Sequence, residues 1–186
     1  MQAIVSYLLR MLPFVLCAFP VYALMRWQLL RNLVRRGLQT TLWHEGGLCV
    51  FVLFLVGLYS QAFASGGNVQ GGINLVPFTV LTDTWREIQH GNTAYFLINF
   101  LGNIIMFLPI GFFVPLLWRG MPLCKTVWIG FLCSLCIELC QLFLPRGTDI
   151  DDLFLNTLGA VAGYGLYALC KRLWPVFTAR CKVIKQ

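Results

Sequence analysis

Five long apolar stretches constrain this chain of 186 residues more than any other feature. A helix that crosses the hydrocarbon core of a membrane needs roughly 20 mainly apolar residues. Stretches of this kind lie at 4–25, 42–63, 94–118, 123–144 and 153–174. The composition agrees, because 59% of the residues are hydrophobic and only 11% are charged, whereas soluble domains carry about 25% charge. We predict an all-α integral membrane protein, a five-helix transmembrane bundle.

The basic residues predict the orientation of this bundle. With five spans, the loop after the first helix, the link between helices 3 and 4, and the C-terminal tail fall on the same side. These three regions hold most of the 14 lysines and arginines: Arg26, Arg31, Arg35, Arg36, Arg119, Lys125, Lys171, Arg172, Arg180, Lys182 and Lys185. By the positive-inside rule this side is cytoplasmic, so we expect the N-terminus outside and the C-terminus inside. The net charge of +7 then reflects topology, and nucleic-acid binding is not expected.

The N-terminus is expected to be the first span and not a cleavable signal peptide. Arg10 lies inside its apolar run, and no small-residue cleavage site stands out.

The topology puts the loops 64–93 and 145–152 outside. Within the first of them INLVPFTVL (73–81) is too short to span, so we expect it to re-enter or to lie on the membrane interface. A capping box from Thr84 to Glu87 predicts a short helix that Gly91 ends.

Three of the seven acidic residues are gathered in one short stretch, PRGTDIDDLFLN at 145–156. Glu138 lies just upstream in an apolar run, with Ser134 and Gln141 on the same face of its helix. Asn99 and Asn103 share a face of helix 3, and Asp152 and Asn156 share a face of helix 5, because residues four apart align in a helix. Charged groups inside a bilayer are costly and usually functional. We therefore predict one polar pocket in the outer leaflet.

Structural roles for the same residues stay open. Asn99 could join helices by hydrogen bonds, and Asp151 or Asp152 could stabilise the N-terminus of helix 5. Glu138 and Arg146 could form a purely structural ion pair. The GxxxG pattern of Gly159 and Gly163 predicts close helix packing.

Helix 3 and the metal-binding residue types allow two further predictions. Asn103, Pro109 and Gly111 predict a helix 3 that bends or breaks below the pocket. His44 and His90 are expected on opposite sides of the membrane, and the cysteines are expected to pack as small apolar groups. No metal site is predicted from a specific motif.

Three blocks resemble the VanZ-like family of bacterial membrane proteins. They are INLVPFTV at 73–80, NFLGNIIMFLPIGFFVPLLW at 99–118 and IELCQLFLPRGTDIDDLFLNTLGAVAGYGL at 137–166. The last block is the most specific, through Glu138, Gln141, Arg146, Asp149, Asp152, Asn156 and Gly159. We accordingly divide the chain into N-terminal helices 1 and 2 with a basic cytoplasmic loop (1–72), a VanZ-like core (73–174) and a basic cytoplasmic tail (175–186).

The resemblance implies low-level resistance to teicoplanin and related lipoglycopeptides, in the cytoplasmic (inner) membrane of a bacterium. The expected partners are the lipid bilayer and a lipid-linked cell-envelope precursor, such as a peptidoglycan precursor. If the protein is an enzyme that hydrolyses this precursor, the expected catalytic residues are Glu138, Asp149 and Asp152, as acid and base or as ligands of a divalent cation. The expected substrate-binding residues are Arg146, Gln141, Asn156, Asn103 and Asn74. Two other readings stay open: non-catalytic binding or translocation of an anionic lipid carrier headgroup such as undecaprenyl phosphate, and a scaffold that recruits wall enzymes.

Overall fold

The computed structural model of the protein describes residues 2–64, 73–143 and 148–185. In chain order its elements are α1 (Gln2–Arg35), β1 (Leu38–Gln39), α2 (Leu42–Ala64), β2 (Ile73–Asn74), α3 (Thr79–Gln89), α4 (Thr93–Tyr95), a π-helical segment (Phe96–Leu101), α5 (Gly102–Leu117), α6 (Leu123–Gln141), β3 (Thr148–Asp149), α7 (Ile150–Leu173), α8 (Pro175–Arg180) and β4 (Ile184–Lys185). Five helices are long and apolar enough to cross a membrane, the third being the continuous span Thr93–Leu117. The predicted all-α membrane bundle is confirmed, and the protein is a multi-pass membrane protein.

The first helix is longer than its apolar stretch. The basic segment after residue 25, predicted to be a loop, is helical as far as Arg35, so that prediction was wrong. Arginine is a good helix former, and the guanidinium of Arg31 lies 3.8 Å from the ring centroid of Trp27 one turn earlier. The turn comes at Gly37, whose φ of 66° is a left-handed conformation that glycine adopts without strain.

An ion pair joins α1 to α2. The Nε of Arg26 donates to Oε2 of Glu45 at 2.8 Å, and a second guanidinium nitrogen donates to Oε1. This two-pronged geometry suits a guanidinium and a carboxylate. Glu45 is thereby accounted for as a structural residue, apart from the acidic residues of 138–152.

Glycines bring α5 and α7 into backbone contact, as the GxxxG pattern predicts. A Cβ on Gly159 would lie 2.3 Å from the carbonyl oxygen of Ile104, and one on Gly163 would lie 2.1 Å from that of Leu108. No real Cβ tolerates such distances, so only glycine allows this packing. Helix 3 was predicted to bend or break below the pocket; the break is absent, because α5 runs continuously through Pro109, and the bend stays a prediction. The irregular part of this span is the π-helical segment, which precedes α5.

The long loop is tied to the start of α7 by a short parallel pair of strands, in which Ile73 lies opposite Thr148 and Asn74 opposite Asp149. The following helix, α3, begins at Thr79, so the capping box at Thr84 was a wrong prediction. Thr84 is instead buried inside the helix. The expected end is confirmed, since α3 stops at Gln89 and Gly91 has a φ of 81°.

The C-terminal segment folds back onto the link between α1 and α2. Strand β4 pairs antiparallel with β1, with Leu38 opposite Lys185. The buried carbonyl oxygen of Cys181 lies 2.9 Å from Nδ1 of His44. We call this end of the bundle, with Arg119, Lys171 and Lys182, the basic end. We call the end where α7 starts, with Asp149, Asp151 and Asp152, the acidic end.

Candidate functional site

Four helices (α2, α5, α6 and α7) and the π-helical segment enclose a cavity of about 520 Å³ at the acidic end. We call it the acidic-end pocket. Its polar lining comes from the π-helical segment, α5, α6 and α7 and consists of Asn99, Asn103, Glu138, Gln141, Asp152 and Asn156. The structure thus brings together five of the eight predicted site residues, because helical spacing puts each of them on the inward face of its own helix.

Glu138 lies near the end of α6 and is only 6% exposed. Its Oε2 accepts from the backbone N–H of Asp149 at 3.3 Å, and its own carbonyl oxygen accepts from the hydroxyl of Thr148 at 3.4 Å. Strand β3 therefore packs on the end of α6 and holds the carboxylate at the pocket.

Asp152 faces the pocket from the first turn of α7. Its Oδ1 accepts from Nδ2 of Asn103, which also donates to the carbonyl oxygen of Asn99 at 3.1 Å. A π-helix is rare and often marks a functional site. Here its widened turn supplies a backbone acceptor, so that Asn103 connects the π-helical segment to Asp152.

Asn156 forms the deeper part of the polar lining, one helical turn below Asp152. Its Nδ2 donates to Oγ of Ser134 at 2.9 Å. Its Oδ1 is buried, and no donor in the described part of the chain reaches it. Such an oxygen is costly to leave unsatisfied, so it favours a ligand or water that donates a hydrogen bond into the pocket.

The apolar lining was not anticipated from the sequence. Leu58 of α2 contributes to it, although α2 carries no motif, and Met106 and Phe107 come from the second turn of α5. Leu97 and Ile98 of the π-helical segment line the pocket while being 56% and 68% exposed. One edge of the pocket is therefore an apolar rim of exposed side chains that belong to a candidate membrane span.

Two predicted site residues lie outside this lining and hold the loop instead. Asn74 donates from Nδ2 to Oγ1 of Thr79 at 2.7 Å and to Oδ2 of Asp149 at 3.1 Å. Asp149 is the N-cap of α7, since its Oδ1 accepts from the backbone N–H of Asp151 at 2.9 Å. The predicted residue Arg146 lies outside the described residues.

Asp151 caps a helix to which it does not belong. It is 2% exposed and accepts from the backbone N–H groups of Phe78 and Val80, at 2.6 and 2.8 Å, and from the hydroxyl of Thr79 at 3.1 Å. These donors form the N-terminus of α3, which attracts a carboxylate. Asp149 is the N-cap of α7, while Asp151 and Asp152 lie in the first turn of that helix, where acids stabilise a helix N-terminus.

Replacing Asp151 with Asn should loosen α3. An amide offers one acceptor oxygen in place of two, and losing a cap costs about 1–2 kcal/mol, or roughly tenfold in local opening. We expect the backbone N–H groups of Phe78 and Val80 to exchange with solvent deuterium about tenfold faster. Asp83→Asn, on the same helix, is the control, and equal exchange in both variants would contradict the capping role.

A larger cavity, of about 940 Å³, lies between α1 and α2. Its lining is almost wholly apolar, with Arg26 and His44 at one edge, and both of these side chains have partners in the fold. Among the described residues, no group of three or more histidine, cysteine, aspartate or glutamate side chains could hold a metal ion. The acidic-end pocket has carboxylate and amide side chains in its lining, which a candidate functional site needs, whereas the lining of the larger cavity is almost wholly apolar.

Comparisons with known proteins agree on one family. The model of the VanZ/LLP1 family matches residues 46–171, which contain every described residue of the pocket lining. A curated relative, "Protein VanZ" of Enterococcus faecium, is 29% identical over 104 residues, which are 55% of this chain and 56% of that protein. The match thus spans about half the length of that relative. No solved structure is significantly similar. The chain belongs to the VanZ/LLP1 family.

Proposed function

We propose that the protein acts on a lipid-linked precursor of the bacterial cell envelope, which it binds in the acidic-end pocket. The observation that carries the proposal is the pairing of a polar lining, with Glu138 and Asp152, and an exposed apolar rim at Leu97 and Ile98. A lipid-linked precursor has the same two parts. Its polar headgroup would enter the pocket sideways while its chain stays in the lipid.

Orientation is part of the proposal. By the positive-inside rule the basic end is cytoplasmic, so the acidic-end pocket opens in the outer leaflet of the cytoplasmic membrane. Peptidoglycan precursors are exposed on this side, and lipoglycopeptides act there. Changing or withdrawing such a precursor would give low-level resistance to teicoplanin.

Hydrolysis is the reaction that the carboxylates support best. One carboxylate, as general base, would take a proton from water while the water oxygen bonds to the electrophilic centre of the precursor. The other, protonated, would give its proton to the leaving group as the old bond breaks. Glu138 and Asp152 are the candidates for these roles, because both line the pocket.

Non-catalytic binding of an anionic lipid carrier headgroup is the second candidate. The amide groups of Asn103, Gln141 and Asn156 favour it, since amides can donate to phosphate oxygens. Arg146 would be the cation that holds the phosphate. Translocation is harder to reconcile with the backbone contact of α5 with α7 at Gly159 and Gly163, which leaves those helices little room to slide.

Mass spectrometry of wall precursors separates the two candidates. Cells would express the wild type or Glu138→Ala at matched levels, with Glu87→Ala as a control that lies outside the pocket. A covalent change in the precursor that depends on Glu138 but not on Glu87 would establish an enzyme. Identical precursors, with teicoplanin protection still dependent on Glu138, would establish binding, and protection independent of Glu138 would contradict both.

A further inference from the structure

A second polar site lies at the basic end, on the far side of the bundle from the acidic-end pocket. Two adjoining cavities of about 370 and 350 Å³ share Tyr167, Lys171 and Lys182 in their linings, and Arg119 lines the second. The lysines come from the end of α7 and from the segment after α8, and Arg119 follows α5. Three cations from separate parts of the chain thus meet around one buried phenol ring.

Lys182 is the central cation of this site. It is half-buried, its Nζ donates to Oη of Tyr167 at 3.2 Å, and it lies 5.5 Å from the centroid of the same ring. The ion pairs of the described residues are Arg26 with Glu45 and Arg86 with Asp83, and neither includes a cation of this site. A partly buried cation without a counter-ion is costly. A bound anion would offset this cost.

Arg119 and Lys171 add two further cations to the lining of this site. The Nε of Arg119 donates to the carbonyl oxygen of Val183 at 3.1 Å, which fixes the guanidinium beside the C-terminal segment. Lys171 is exposed at the shared wall of the two cavities. A guanidinium with two ammonium groups is a common way for proteins to bind phosphate oxygens.

Exposed tryptophans give the depth of the site in the membrane. Trp118 directly precedes Arg119, and Trp174 follows the last turn of α7; they are 40% and 61% exposed. Tryptophan prefers the level of the lipid headgroups, and basic pockets at that level are typical binding sites for anionic headgroups. We infer that this basic cavity binds the phosphate group of an anionic membrane lipid.

The bound lipid would fasten the C-terminal segment to the bundle. Lys182 and Val183 belong to that segment, which pairs with β1 through β4, whereas Tyr167 and Lys171 belong to α7. A phosphate that bridges these parts stabilises the folded state by mass action. None of these residues lines the acidic-end pocket, so this inference stands independently of the proposed function.

Thermal unfolding of the full chain, purified in detergent and stripped of lipid, tests the inference. Phosphatidylglycerol, phosphatidylcholine and inorganic phosphate would each be added to the wild type, Lys171→Gln, Lys182→Gln and Arg172→Gln. Arg172→Gln is the matched control, because it removes the same charge from the neighbouring residue without touching either cavity. The measured quantity is the ligand-induced rise in Tm, so a variant of lower intrinsic stability still reports binding.

We expect phosphatidylglycerol, about a hundredfold above its Kd, to raise the Tm of the wild type and of Arg172→Gln by roughly 5–10 °C. The rise should fall by half or more in Lys171→Gln and Lys182→Gln, and phosphatidylcholine should give little. Equal rises in all four proteins, or an equal effect of phosphatidylcholine, would overturn the inference. A full rise with inorganic phosphate alone would assign the site to free phosphate and overturn the lipid as its source.

Discussion

Gly163→Ala should destabilise the protein by at least about 2 kcal/mol, although it adds only one methyl group. The new Cβ would lie 2.1 Å from the carbonyl oxygen of Leu108 and 3.0 Å from the Cα of Gly111. Both neighbours are backbone atoms, so no side chain can rotate away and α5 and α7 must separate. Overpacking of this kind costs typically 1–3 kcal/mol and sometimes more. Equilibrium unfolding in detergent would measure the loss.

Gly165→Ala is the matched control, because it lies on the same helix and its Cβ would meet nothing within 4 Å. In a helix this exchange is neutral or stabilising by up to about 1 kcal/mol, since alanine has the higher helix propensity. The contrast therefore isolates packing from propensity. Equal stability of the two variants would contradict the close contact of α5 with α7.

Sequence spacing predicted the parts of the site that lie on regular helices. Glu138 with Gln141, and Asp152 with Asn156, reach the same pocket because each pair shares one helical face. The apolar length of each span predicted the bundle itself. Both the length of an apolar run and the spacing of polar residues on a helical face are local sequence signals. The same reasoning placed the end of α1 too early, because charged residues end an apolar stretch without ending the helix, which continues to Arg35.

Contacts between distant segments could not be predicted in this way. Asp151 caps α3, which lies 72 residues earlier at Thr79, and nothing in the local pattern of either segment indicates the other. The π-helical segment was likewise not predicted, since its sequence FLINFL would also suit an ordinary helix. The catalytic role of Asp149 and the substrate-binding role of Asn74 stay predictions, and the observed hydrogen bonds of both residues hold the loop.

Glu138→Gln should reduce the activity by roughly 10²–10⁴-fold if this carboxylate transfers a proton. Glutamine keeps the size of the side chain and an oxygen that can accept from the backbone N–H of Asp149, as Oε2 does at 3.3 Å. It cannot take up or release a proton, so it removes acid–base chemistry while preserving the shape of the pocket. The rate of precursor conversion in membranes, at matched protein levels, would measure the loss.

Glu87→Gln makes the same chemical change outside the pocket. There the Oε2 of Glu87 accepts an exposed hydrogen bond from Nδ2 of Asn92 at 2.7 Å. Its activity should stay within about twofold of the wild type, since surface substitutions of this kind rarely matter. The thermal unfolding of both variants would show whether they fold alike. A fully active Glu138→Gln variant would exclude proton transfer by Glu138. A variant that folds but is inactive would show that the activity requires the carboxyl group of Glu138. The carboxylate of Glu138 on α6 accepts a hydrogen bond from the backbone of Asp149 in β3. The site would then depend on a contact between a helix and a strand that no local pattern in the sequence indicates.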